Sequence, residues 1–179
     1  MAVELDDEPW RVVQADAVVR AGLAVGRPLD RERARALARA LRRAKAVSRA
    51  ERALGRRERS RSELEARLDR AGVPAATRRD TLDAFERSGL LDDTRAARSR
   101  AAELARRGYG DAAIRADLLD RGIGADAAAD ALVALESESE RARHLLARNG
   151  AGPRELRRLV ARGFEQETVL ELASFAAED

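Results

Sequence analysis

Apolar side chains recur at helical spacing in two stretches of the chain that lie 50 residues apart. In residues 56–73, and again in residues 106–123, aliphatic side chains fall four positions apart and a glycine followed by an aliphatic residue ends the stretch. The residues in step are Leu64/Ile114, Ala66/Ala116, Leu68/Leu118, Gly72/Gly122 and Val73/Ile123. A degenerate third copy runs from residue 147 to 164. Such self-similarity is typical of stacked helical repeats, so the pattern predicts an all-α fold.

Residues that favour helix ends stand near the start and the end of the predicted middle helix in each copy. Ser60 and Glu63 have the spacing of a capping box, and Asp111 is predicted to be the N-cap of the matching helix in the second copy. Pro153 suits the first turn of the third helix. Gly163 followed by Phe164 takes the place of the glycine-aliphatic step that ends the other two copies.

These signals divide the chain into a short N-terminal extension and three repeats of three helices. In the extension, residues 1–29, we expect a loose acidic segment at Asp6–Pro9, a short strand at Trp10–Val13 and a short helix at Asp16–Ala21. Asp30 caps a helical stretch in which a break near Ala44 is left open. The predicted repeats comprise residues 30–91 with the lead-in helix, 92–136 and 137–179. The predicted helices span roughly 44–57, 61–71, 75–88, 93–107, 111–121, 125–136, 138–148, 153–162 and 166–177.

Composition makes the expected core thin. Hydrophobic residues are 45% of the chain but aromatic residues only 3%, so much of the apolar content is alanine. Closely packed helices suit this composition better than a sandwich or a doubly wound sheet. We assign Leu82, Phe85, Leu118 and Phe164 to the core.

The chain carries few groups that could perform chemistry. It has no cysteine, and its single histidine, His144, lies beside two leucines, where a packing or surface role is the simpler interpretation. Phosphate-binding loops and hydrolase motifs are absent from the sequence. We therefore expect no enzyme activity, no cofactor and no metal site. Because no run of apolar residues approaches the roughly 20 that a membrane span needs, we expect a cytoplasmic protein without a membrane contact.

Charge is distributed in bands along the chain. Residues 30–59 carry 12 basic and 4 acidic side chains, and residues 141–164 carry 7 basic and 1 acidic. Residues 124–140 and 165–179 each have a net charge of −5. Such bands would give a polarised surface, although solvated helix faces in an arginine-rich protein would look the same.

Four segments, in their order and spacing, resemble the RecX family of recombinase regulators. They are Ala53–Gly72, Ser88–Asp93, Ala105–Ile123 and Leu159–Phe164, and the likeness extends over roughly residues 35–175. Residues 15–30 are similar to the lead-in segment of that family. The sequence departs from the family pattern at Ala96 and Arg100, where the family usually carries aromatic residues, and this loss of bulk predicts looser packing of the second repeat.

The resemblance implies tandem three-helix repeats in an elongated, curved array that lies in the groove of a RecA filament on single-stranded DNA. It also implies a regulator of recombination and DNA repair that most often inhibits filament growth, ATP hydrolysis and strand exchange. Stimulation of RecA by a specialised member stays open. We expect a monomer whose direct contact with DNA is weak.

For the partner-binding residues we select the basic side chains at the middle helix of each repeat. Arginines at these places could form a strip for carboxylates or DNA phosphates, or could simply solvate the helix ends. Two other readings remain: a basic protein that binds DNA directly without a recombinase, and a helical scaffold. The selected residues are Arg56, Arg57, Arg59, Arg61, Arg106, Arg107, Tyr109, Arg157, Arg158 and Arg162.

Overall fold

The structure, a computed structural model that describes residues 2–175, is built mainly of helices and begins with one small hairpin. This confirms the predicted all-α fold with a short N-terminal extension. Residues 176 and 177 of the last predicted helix lie outside the described residues. The described helices are α1 Ala15–Arg20, α2 Arg31–Leu54, α3 Arg61–Arg70, α4 Ala75–Arg87, α5 Asp93–Arg106, α6 Asp111–Asp120, α7 Ala125–Val133, α8 Glu138–Asn149, α9 Pro153–Ala161 and α10 Gln166–Phe175.

Helix α2 is continuous over 24 residues, so the chain has no break near Ala44. Neither glycine nor proline interrupts it, and alanine, leucine and arginine are good helix formers. The predicted cap is confirmed, because the Asp30 carboxylate accepts a hydrogen bond of 2.8 Å from the amide of Arg33. The lead-in helix and the first helix of the first repeat are therefore one helix.

The N-terminal extension is more ordered than we expected. Strands β1, Ala2–Leu5, and β2, Glu8–Val12, pair antiparallel, and the hairpin that they form includes the segment predicted to be loose. Asp6 and Asp7 form the two-residue turn with φ angles of 53° and 62°. Such turns need positive φ at both central residues, and aspartate tolerates this conformation better than most side chains.

The described chain divides into two compact units. The first contains the residues up to Arg56 together with Leu64–Leu90, and the second contains Arg57–Glu63 and the residues from Leu91 onward. In the first unit α4 packs against α2, and Leu82 and Phe85 are buried as predicted. A small cluster beside α1 consists of Ala17, Ala21, Leu37 and Ala40.

The second unit holds two successive three-helix cores. In one, α5, α6 and α7 pack together, and in the other, α8, α9 and α10 do so. Leu118 belongs to the first of these cores and Phe164 to the second, as predicted. The first core consists of Ala97, Ala101, Leu104, Ile114, Leu118, Ile123, Ala128, Ala131 and Leu132. The second consists of Ala142, Leu146, Leu159, Phe164, Val169 and Leu172.

The glycine that ends each middle helix adopts a left-handed conformation. Its φ angle is 71°, 71° and 81° in the three repeats, and the next residue donates its amide to a carbonyl five positions earlier at 3.1 Å each time. This is the Schellman arrangement, and it turns the residue after the glycine into the core. The pairs are Gly72–Val73, Gly122–Ile123 and Gly163–Phe164.

Candidate interaction surface

The start of helix α6 lies against the glycine step that ends α9. The Gly110 amide donates to the Arg162 carbonyl at 2.9 Å, and the Ala112 amide donates to the Gly163 carbonyl at 3.1 Å. A Cβ atom at Gly110 would lie 2.2 Å from the amide nitrogen of Phe164. The second and third repeats are thus joined backbone to backbone, at a place where only glycine fits.

A corresponding contact, made by a side chain, occurs one repeat earlier. The Ser60 hydroxyl, just before α3, donates to the carbonyl of Arg121 at 2.5 Å. A Cβ atom at Gly122 would lie 2.5 Å from the Cβ of Ser62. Ser60 and Glu63 also form the predicted capping box, with bonds of 3.1 and 3.2 Å. The start of one middle helix therefore meets the glycine step of the next at both places.

An acidic residue completes each of these two junctions. The Asp93 carboxylate accepts the amide of Arg61 at 2.7 Å, and the Glu138 carboxylate accepts the amide of Asp111 at 2.5 Å. Both acids stand at the first position of the next repeat's first helix, where a negative charge is also favoured by the helix dipole. The corresponding first residue of α9 is Pro153, which has no amide hydrogen to donate.

Asp111 is not the N-cap of α6, contrary to our expectation. Gly110 occupies the cap position, and Asp111 is the first helical residue. Its carboxylate accepts a hydrogen bond from the guanidinium of Arg141, a side chain that is only 8% exposed. Burial raises the pKa of Asp111, and the charge of Arg141 offsets this only in part. The cap is a glycine because the backbone of the next repeat needs the space.

Arg141 is a structural residue that the sequence analysis missed. It donates to the carbonyls of Glu136 and Tyr109 at 3.0 and 2.9 Å, and its guanidinium lies 5.9 Å from the ring centre of Phe164. Its place among the arginines of residues 141–164 gives no local sign of burial. One member of that basic band is therefore part of the junction rather than of the surface.

Arg100, at a position where an aromatic residue was expected, forms an ion pair across two helices. Its guanidinium makes bonds of 2.8 and 2.7 Å to the carboxylate of Asp117 in α6 and one of 2.8 Å to Glu103. Ala96, the other departure, is buried. The second repeat thus joins α5 to α6 by charge where an aromatic side chain would use apolar contact.

Further ion pairs link Asp117 to Glu63 in α3. Arg121 lies 2.6 Å from Asp117 and 2.6 Å from Glu63, and Glu63 in turn pairs with Arg57 at 2.6 Å. Hydrogen bonding from Arg100 is the main reason that the pKa of Asp117 lies well below its ordinary value, while burial opposes this shift. The network needs an ionised Asp117.

We expect Asp117 to make the stability of the second unit depend on pH. An aspartate whose pKa is lowered by folding stabilises the native state above its unfolded pKa, about 3.9, and this contribution disappears as the pH falls towards the folded value. Urea unfolding should show a clear difference in stability between the parent and Asp117→Asn at pH 7, and a smaller difference at pH 3, where the carboxyl of the unfolded chain is already mostly protonated. An equal difference at both pH values would contradict this role for the network.

Several of the selected site residues have intramolecular partners. Arg57 is paired with Glu63, and Arg158 lies 3.4 Å from Glu155. Arg106 donates a hydrogen bond to the carbonyl of Ala102 in its own helix. The other selected residues differ in exposure, and Arg157 is exposed. Arg59 and Arg61 are half-buried, and Arg56 is exposed on the first unit.

Three of the selected residues come together in the second unit. The guanidinium of Arg107 lies 5.6 Å from the ring centre of Tyr109, and Arg162 donates to the carbonyl of Arg107 at 3.4 Å. The two glycines that flank Tyr109 differ in backbone conformation. Gly108 has a φ angle of 79°, but Gly110 has one of −83°, and Tyr109 is half-buried against the second-repeat core.

A groove of about 320 Å³ lies next to this corner. Leu135 and Leu145 line it together with Arg106, His144 and Arg148. The imidazole of His144 is exposed and its Nδ1 lies 3.5 Å from the Glu136 carboxylate, so it is a surface residue. Within the described residues, no helix is long and apolar enough to cross a bilayer, and no group of three candidate ligands could hold a metal ion.

Known proteins share both the sequence and the fold. A family model described as RecX, second three-helix domain, matches residues 92–132. The regulatory protein RecX of Xanthomonas citri is 37% identical over 142 residues, which cover 72% of this chain and 88% of the relative. That of Leptothrix cholodnii is 38% identical over 133 residues, which cover 69% and 83%.

Two crystal structures complete the comparison. One, of a regulatory protein RecX, superposes with a TM-score of 0.76 at 25% identity and covers 97% of this chain and 91% of that one. The other, of RecX from Lactobacillus salivarius, has a TM-score of 0.65 at 19% identity, covers 77% and 98%, and supports the fold alone. On the sequence identity and the coverage of these relatives, the chain belongs to the RecX family of regulatory proteins.

Proposed function

We propose that this protein binds the RecA filament on single-stranded DNA and restrains filament growth, ATP hydrolysis and strand exchange. The observation that carries the proposal is the likeness to regulatory proteins RecX over 72% of the chain. The regulator has no need of chemistry of its own, because a protein that binds the filament better than free RecA shifts the equilibrium between them.

The corner of the second unit supplies a surface suited to such a partner. Arg106 and Arg107 are exposed there, and Arg162 and the ring of Tyr109 lie beside Arg107. Guanidinium groups bind carboxylates through paired hydrogen bonds, and the phenol ring adds apolar area at low entropic cost. The adjoining groove offers leucine side chains between basic ones. This chemistry suits an acidic, partly apolar segment of a RecA protomer.

The test is steady-state ATP hydrolysis by the cognate RecA on single-stranded DNA. Adding this protein should lower the rate at ratios well below one per RecA protomer, because a molecule bound at a growing end affects many protomers. Filament length, followed by light scattering, should fall in parallel. An unchanged ATPase rate at a several-fold molar excess would refute the proposal, and an increased rate would replace inhibition by stimulation.

A further inference from the structure

The first unit contains a cleft whose walls are arginines. It lies between the C-terminal part of α2 and the C-terminal end of α3, and its volume is about 390 Å³. Leu68 and Ala71 contribute to its lining, and among the described residues no acidic side chain does. The arginines that line it are Arg49, Arg52, Arg56, Arg67 and Arg70.

The charge of this cleft is not neutralised within the described chain. Arg49 donates to the Ala71 carbonyl at 3.0 Å, Arg52 to that of Ser48 at 3.0 Å and Arg70 to that of Ala66 at 3.2 Å. Arginine side chains commonly donate to carbonyls near a helix C-terminus, so each of these three contacts, taken alone, has an ordinary structural explanation. Among the described residues, however, no carboxylate forms an ion pair with any of the five lining arginines, whereas Arg57, Arg100 and Arg121 of the second unit are all paired.

Five guanidinium groups around one cavity repel one another unless an anion lies between them. The carbonyl bonds use a single donor of three of them, so most of their N–H groups remain available. Guanidinium is also weakly hydrated and matches the geometry of phosphate oxygens. The cleft therefore has the charge and the donors to hold several phosphate groups.

We propose that this cleft binds the phosphate backbone of a DNA strand directly, without a recombinase. Arg49 and Arg52 lie near the C-terminal end of α2 and Arg56 follows that end, and a span of seven residues at helical rise extends for about 10 Å. That length matches about three nucleotides of one strand at 3.4 Å each. Within the part of the chain that the structure describes, no aromatic side chain lines the cleft, so bases have no platform on which to stack. We therefore expect DNA binding at the cleft to be independent of the base sequence and strongly dependent on the salt concentration.

This site is separate in its residues from the surface proposed to meet RecA. The cleft belongs to the first unit, and the corner at Arg107 belongs to the second. Binding to the cleft can be measured with no RecA present. A failure of either proposal therefore leaves the other standing.

The probe is a fluorescein-labelled oligo(dT) of 30 nucleotides, followed by fluorescence anisotropy at several salt concentrations. The parent should bind with a logarithmic salt slope of about −0.7 for each phosphate neutralised. Arg56→Glu with Arg67→Glu removes two cleft arginines that make no side-chain hydrogen bond or ion pair within the described residues, and should weaken binding at least about tenfold and flatten the slope by about 1.4. Arg56→Gln with Arg67→Gln should flatten the slope equally with a smaller loss of affinity.

The matched control is Arg79→Glu with Arg87→Glu, which changes the charge equally on the exposed face of α4 in the same unit. Retained binding by the control and lost binding by the cleft variants, at an unchanged helical spectrum, supports the site. Equal losses in the control and in the cleft variants would indicate non-specific attraction of charge and would overturn the proposal. Unchanged binding by both cleft variants would overturn it as well. Polyglutamate and tripolyphosphate serve as competitors. If the cleft substitutions abolish binding of either competitor and leave oligo(dT) binding intact, the cleft is not a DNA site.

Discussion

Replacing Gly110 with alanine should destabilise the second unit by about 3 kcal/mol, because the new methyl group overlaps a backbone that cannot move away. The Cβ atom would lie 2.2 Å from the Phe164 nitrogen and 2.3 Å from the Gly163 carbonyl carbon. Both atoms belong to the glycine step that closes α9. The clash would break the hydrogen bonds that join the second repeat to the third.

The chain contains a control for this substitution at the same place in the next repeat. Gly152 caps α9 with nearly the same backbone angles, but a Cβ atom there meets nothing within 4 Å. Gly152→Ala should cost about 1 kcal/mol or less, the difference between the two residues as N-caps. Urea unfolding followed by circular dichroism compares the two variants. Similar losses in both would mean that the junction is looser than the backbone contact indicates.

Charge reversal at Arg106 and Arg107 together should abolish the effect on RecA ATPase and leave the fold nearly unchanged. Both side chains are exposed, and the pair between Arg107 and Glu103 is long, at 3.5 Å. Exposed ion pairs contribute about 1 kcal/mol or less. Two glutamates would replace attraction of an acidic surface by repulsion. The melting temperature and the ATPase titration of Arg106→Glu with Arg107→Glu are the measurements.

Arg98→Glu with Arg115→Glu is the matched control, since both arginines are exposed in the second unit and neither lines the groove beside the corner. It should inhibit RecA as the parent does. If the corner variant remains fully active, the corner is not the contact surface. If it unfolds, these arginines have a structural role.

The helices could be predicted from sequence because their signals are local. Caps, four-residue spacing and the glycine step all act within one turn, and Ser60, Asp30 and Pro153 stand in the structure where the sequence placed them. The hairpin could not be predicted as easily. Its strands are largely exposed, so no apolar alternation marks them.

The candidate surface was harder to predict from the sequence, because its geometry depends on residues that are distant in the chain. Nothing near Arg100 shows that it pairs with Asp117, and nothing near Arg141 shows that it is buried beneath the corner. Because several of the selected arginines are neighbours in the sequence, similar roles were expected for them, but the fold gives them different surroundings. Arg57 is engaged in an ion pair, whereas Arg56, its neighbour, lines the cleft.

The imino acid at residue 153 limits how the array can be extended. Each earlier junction needs an amide hydrogen at the first position of a middle helix, and α9 begins with the one residue type that has none. A fourth repeat engineered after α10 could not be joined by the hydrogen bond from a backbone amide to a carboxylate that joins the second repeat to the third. To build a longer regulator, a designer would first have to replace Pro153, and then place an acid at the start of the added unit.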